Sequence, residues 1–143
     1  MILITHMLSD SSLRPVAEQV ELLVERRLFL KRRWRGLAAD GTEFGFDLAA
    51  RLKHGCVIHQ TNDLDYVVRQ QEETVYQVRP GSVDEAALMG WKIGNLHLGV
   101  QVVDGVIRIT HDVAVLQLFE REGWAYEEVS VVFNPLRVTA HAP

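Results

Sequence analysis

SVDEAALMGWKIGN (Ser82–Asn95), followed closely by HLGVQVVDGVIRIT (His97–Thr110), decides how the second half of this chain is read. The first stretch opens on Ser82 with Glu85 three residues later, the capping-box spacing that satisfies free backbone N–H groups at a helix start. Ala86, Leu88, Met89 and Ile93 recur with partial helical spacing. Gly94-Asn95 is expected to supply the left-handed stop. The second stretch is two alternating apolar runs joined by Asp104-Gly105, the dipeptide that signals a tight hairpin most strongly. His97 therefore stands where a helix stops and a strand starts.

Working outward, ETVYQVRP (Glu73–Pro80) alternates as a strand. HDVAVLQLFEREGW (His111–Trp124) reads as a second amphipathic helix, with Asp112 as N-cap and Gly123 closing it. YEEVSVVFNPL (Tyr126–Leu136) is a final strand expected to run up to Pro135. The order is β-α-β-β-α-β, the split ferredoxin-like arrangement. In the first half, Ala39–Gly41 and Lys53–Gly55 are turn signals, and KRRWRGLA and TEFGFDLA alternate roughly as strands. PVAEQVELLVERRLFLKRR (Pro15–Arg33) is helical by propensity, yet Val20, Leu22, Val24 and Leu28 also fit an extended chain. Periodicity alone leaves Val16–Arg33 as helix or strand-turn-strand. The expected fold is α+β: an N-terminal β domain over 1–71, then a ferredoxin-like domain with a short C-terminal tail over 72–143.

The 143 residues suit one ordinary domain or two small ones. Hydrophobic residues make up 48% and charged residues 24%, the balance of a folded chain. No apolar run approaches the roughly 20 residues of a membrane span. The N-terminus has no secretory pattern, so the expected location is cytoplasmic, without membrane contact. A lone Cys56 excludes an internal disulfide and a cysteine-based zinc cluster. The net charge of −4, with no aromatics on LGVQVV or VIRIT, argues against nucleic acid. Charge is uneven: Arg26, Arg27, Lys31, Arg32, Arg33 and Arg35 crowd one segment, while the second half is mostly acidic. That asymmetry is either two differently solvated surfaces or a docking face for an acidic partner.

GWKIGNLHLGVQV (Gly90–Val102) resembles the helix, Gly-Asn-x-His, strand signature of the urease accessory protein E family, the nickel metallochaperones of urease maturation. ADGTEF after a basic segment resembles that family's N-terminal β domain. VIRITHDVAVLQLFEREG resembles its strand-to-helix step, and VVFNPL its final strand and Phe-x-Pro ending. The resemblance implies an N-terminal domain that docks partners and a C-terminal ferredoxin-like domain that binds metal and joins a homodimer. It favours strands over one long helix in Val16–Arg33. It implies a non-enzyme that binds Ni(II), with Zn(II) or Cu(II) as in vitro substitutes. The implied partners are urease apoprotein and its other accessory proteins, including the GTPase. The departures are Leu96, where the family often has Arg, and Val113, where some members complete His-Asp-His. His141 alone stands for a histidine-rich tail.

Imidazole nitrogen suits Ni(II), and a carrier must release what it holds. The six histidines show no HxH or HxxxH pair, so no one-chain cluster is legible. Taken alone, His97 reads as a capping residue; with the resemblance it becomes the first candidate ligand, with His111 and His141 as auxiliaries. A residue near a two-fold axis is presented twice, which would let one histidine per chain suffice. Asp112 reads as a helix cap rather than a ligand. His54 and His59 around Cys56 match no standard metal spacing, and nothing in the sequence activates that thiol as a nucleophile. The alternative to a nickel carrier is an interaction module of urease assembly whose metal site has degenerated.

Overall fold

The structure, a computed structural model, describes residues 1–136. The chain divides into two compact units, Met1–Gln71 and Glu72–Pro143.

The first unit is built from two three-stranded sheets. One has the order β1 (Ile2–Ile4), β4 (Glu43–Asp47), β3 (Arg33–Leu37); the other runs β2 (Gln19–Val24), β6 (Asp65–Gln70), β5 (Val57–Gln60). β1 pairs with β4 and β2 with β6 in parallel, whereas the hairpin partners β3–β4 and β5–β6 are antiparallel. The ambiguous N-terminal segment is strand-turn-strand, not one helix. A 3-10 turn over Val16–Glu18 leads into β2, and a second over Arg26–Leu30 precedes β3. Period-two burial decides the matter: Leu22 and Val24 are buried in the core, while Leu23 between them is 51% exposed. Phe44, Phe46, Ile58 and Val68 fill the same core, with Trp34 stacked on Phe46 at 3.8 Å. The Asp40-Gly41 turn is held from outside by the Tyr66 hydroxyl, which donates to Asp40 Oδ2 at 2.6 Å.

The second unit has one four-stranded antiparallel sheet and two helices. In chain order it is β7 (Glu73–Val78), α1 (Val83–Gly94), β8 (Val100–Val103), β9 (Val106–Thr110), α2 (Val113–Glu122) and β10 (Glu127–Val131). The sheet order β10-β7-β9-β8 is the ferredoxin-like topology, so the α+β expectation is borne out. Local chemistry explains the boundaries. Ser82 Oγ accepts the Glu85 N–H at 3.1 Å to start α1. Asp112 Oδ1 accepts the Ala114 N–H at 2.8 Å to start α2, and Gly123 ends it at φ +70°. Asp104 and Gly105 both take positive φ, as a two-residue hairpin of this hand requires. Tyr76, Val78, Ile107 and Ile109 pack against Met89, Ile93, Leu118 and Phe119 of the helices.

Two boundary expectations fail. Asn95 is right-handed at φ −67°, and Gly94 is still helical, so this pair is not the left-handed stop. The final strand ends at Val131, not before Pro135. From Val132 the chain leaves β10, one edge of the sheet, and reaches β8, the other edge. There the Leu136 N–H donates to the Val100 carbonyl at 2.7 Å, and the Asn134 N–H donates to Gln101 Oε1 at 3.2 Å. Val131 is paired with Glu73, the first residue of β7, so β10 has no partner beyond it; Phe133 is buried on the way.

Candidate metal centre at the helix-to-strand step

The left-handed residue that follows α1 is His97 itself, at φ +58°. Leading into it, the helix tightens through i to i−3 bonds: Leu96 N–H to the Ile93 carbonyl at 3.0 Å and His97 N–H to the Gly94 carbonyl at 3.2 Å. The two neighbours explain the turn. Leu96 and Leu98 both pack against the helix-facing core, and the backbone must reverse between them. The residue left between two core anchors is forced outward, and His97 is exposed. A non-glycine residue at this φ costs about 1–2 kcal/mol, although histidine tolerates it better than branched residues. Such local strain is concentrated at functional positions. No side-chain hydrogen bond to His97 occurs among the described residues, so both ring nitrogens face solvent chemistry.

His111 sits at the same end of the β8–β9 pair. The Thr110 N–H and hydroxyl both donate to the Gly99 carbonyl, at 3.2 and 3.3 Å, which aligns the residue after β9 with the residues before β8. Unlike His97, His111 is engaged. Its ring stacks on Tyr76 at 4.5 Å, and Nε2 lies 3.2 Å from Glu128 Oε1. Burial, and then the nearby Glu128 charge, raise the Tyr76 phenol above its ordinary pKa. Asp112 is occupied by its capping bond, and Val113 presents an exposed apolar side chain at the start of α2. His141 lies outside the described residues.

No group of three or more metal-ligating side chains occurs among the described residues. The remaining histidines belong to the first unit. His54 Nδ1 accepts the Gln70 N–H at 2.9 Å, His59 packs edge-on against Phe44, and His6 contacts Thr5. Cys56 is completely buried, and that burial pushes its thiol pKa up. A mixed Cys56 site with His54 and His59, or a nucleophile there, has no geometry to support it.

What this turn offers chemically is exposed imidazole nitrogen, a donor that suits borderline divalent ions. Sequence reasoning missed Glu128 as the partner of His111, which arrives from a strand seventeen residues away. It also missed Gly99 and Phe133. The signal for Gly99 was a glycine interrupting an apolar run two residues after the histidine.

Residues 73–142 match the family model described as UreE urease accessory protein, C-terminal domain. Its second unit is a UreE C-terminal domain. Its similarity to curated relatives extends into the first unit. A urease accessory protein UreE of Bacillus cereus is 27% identical over 124 residues, covering 85% of this chain and 82% of the relative. One from Corynebacterium efficiens is 29% identical over 117 residues, 78% of each chain. One from Bifidobacterium longum subsp. infantis is 30% identical over 113 residues, 78% of this chain. The match spans about half of that last relative, 51% of its length.

Proposed function

We propose that this chain is a nickel-carrying accessory protein of urease assembly, working as a homodimer in the cytoplasm rather than as an enzyme. Two copies of His97 hold one Ni(II) across a two-fold axis, and His111, His141 or water complete the shell. The observation that carries this reading is His97 itself: an exposed imidazole, held in a strained turn by core anchors on both sides, with no ligand cluster beside it among the described residues. One imidazole binds no ion firmly, so the shell is completed from elsewhere.

The outer face of α1, which ends at this turn, supports a second copy as the source. Leu88 and Trp91 are 48% and 66% exposed there, and nothing crowds the space beside Gly90 and Gly94. An unpartnered tryptophan flanked by glycines suits close helix approach in an isologous interface. Delivery then goes to urease apoprotein and its accessory proteins, the GTPase included, with the basic stretch from Arg26 to Arg35 of the first unit as docking face.

The competing reading is an assembly module without a metal role. It is favoured by Val113 and by the capping bond that occupies Asp112. Calorimetric nickel titration with sedimentation separates the two. The nickel reading expects roughly one tight ion per two chains, dimer favoured by nickel, and loss of that site in His97→Ala. One tight ion per chain defeats the shared site. Unchanged binding in His97→Ala defeats the metal role of this residue.

A further inference from the structure

We propose that the cleft between the start of α1 and the end of α2 docks a segment of a partner protein that carries an arginine among apolar residues. This site is independent of the nickel reading. It lies at the opposite end of α1 from His97, about 18 Å away for a helix of 12 residues.

Asp84 and Glu85 stand one turn before Leu88 and Met89, so all four share a face of α1. That face meets Gly123, Trp124 and Ala125, where α2 has just ended, around a cleft of about 530 Å³. One turn further along α1, Lys92 Nζ donates to Glu122 Oε1 at 2.7 Å and ties the two helices together. The cleft lies on the N-terminal side of that tie, and Leu88 forms its border with the outer face that carries Trp91. A volume in the roughly 300–1,000 Å³ range of binding clefts suits several side chains rather than a bare ion.

The lining selects the occupant. Met89 is buried and packs on the core beneath, and Trp124 is partly buried against the same core, which leaves an apolar wall. Above it stand Asp84 and Glu85, and neither has an ion-pair partner among the described residues. Their place in the first turn of a helix is favourable in itself, but it supplies no counter-ion. Arg79, the one cation lining the cleft, is already engaged with Glu127 Oε1 at 3.0 Å. The negative end of the α2 dipole points the same way, since the last turn of that helix borders the cleft at Gly123. Two unanswered carboxylates, a helix C-terminus and an indole face ask for a planar cation that bonds carboxylate and stacks on an aromatic ring. That is arginine rather than lysine. The apolar wall asks for hydrophobic neighbours on either side of it.

Fluorescence anisotropy with a labelled hexapeptide of alternating leucine and arginine tests this on the full chain. The leucine–glutamate counterpart should bind at least tenfold more weakly. Asp84→Asn with Glu85→Gln should weaken the leucine–arginine peptide about tenfold and flatten its salt dependence. Glu120→Gln, an acidic change elsewhere on the same unit, should stay within twofold. Ala125→Arg, at an exposed position, fills the cleft with a cation and should abolish binding; circular dichroism melts check that each variant is folded. Amide shifts on peptide addition should centre on Asp84–Met89 and Gly123–Ala125. Shifts centred elsewhere overturn the proposal, as does an equal loss in Glu120→Gln, which would mean attraction to net charge alone. Argininamide binding as tightly as the peptide overturns it in favour of a small cation. A change of dimer mass in Ala125→Arg, followed by sedimentation, overturns it in favour of a second copy. His97→Ala should bind the peptide like the native chain whatever it does to nickel, so failure of either reading leaves the other standing.

Discussion

Replacing His97 with glycine should remove nickel binding and at the same time make the nickel-free protein more stable. The two effects come from different properties of one residue. At φ +58° a side chain costs about 1–2 kcal/mol that glycine does not incur. Glycine loses about 0.4–1 kcal/mol through the greater freedom of the unfolded chain. The His97 ring is exposed and accepts or donates no side-chain hydrogen bond among the described residues, so truncating it forfeits little packing. The net gain is about 0.5–1 kcal/mol, a rise of a few degrees in melting temperature for a unit of this size. His97→Ala retains the strain and should melt at or just below the native temperature. Thermal melts of the three metal-free proteins, followed by nickel titration of each, make the comparison. A lower melting temperature for His97→Gly than for His97→Ala would show that the turn is not strained. The argument linking backbone cost to function would then be lost.

Other expectations follow from the same geometry. His111 must give up Glu128 before it can reach an ion, so His111→Ala should weaken nickel binding about tenfold or less, roughly 1.4 kcal/mol. Complete loss by titration would make it a primary ligand. Reversing Arg32 and Arg33 to Glu should weaken binding to partner proteins, and raised salt should weaken the native chain similarly. Pull-down and nickel titration together check this, because nickel affinity should hardly change. Tyr66→Phe removes the bond that holds the Asp40 carboxyl below its ordinary pKa. Asp40 is exposed, so the cost near neutral pH should be about 1 kcal/mol at most. A depressed carboxyl contributes stability above its unfolded pKa and loses it as pH falls through the folded value. The gap between native and Tyr66→Phe should therefore close in acid, and a gap that widens in acid denaturation would contradict the assignment.

The second unit was largely legible because its boundaries are written in local backbone chemistry. Ser82, Asp104-Gly105, Asp112 and Gly123 each act within a few residues of themselves, and each does in the structure what its type suggests. The failures have a common cause in distance. The left-handed residue after α1 is His97 rather than Gly94 or Asn95, with Leu96 and Leu98 on either side packed against the core, which no local rule reports. β10 ends early because its partner β7 begins at Glu73, opposite Val131 and fifty-eight residues back. Val16–Arg33 was undecided because its leucines satisfy both periods, and the deciding contact is pairing of Gln19 with Asp65. As for the site, the resemblance singled out His97, but its exposure and strained turn emerge only from packing on either side.

The parallel pairings of the first unit bear on how the protein is made. Ile2 is opposite Phe44, and Val24 is opposite Gln70. Neither sheet can close while its later partner is still being synthesised. The first strands must wait, with Leu22, Val24 and Ile4 uncovered, until nearly the whole unit has emerged. Contacts of such long sequence separation form slowly and leave apolar strands open to wrong pairing. The second unit contains a local hairpin, Val100–Thr110, whose two strands pair without waiting for a later one. Slow maturation and sensitivity to expression rate should thus be properties of the first unit. A pulse-labelled refolding experiment would find its amides protected after those of the ferredoxin-like sheet.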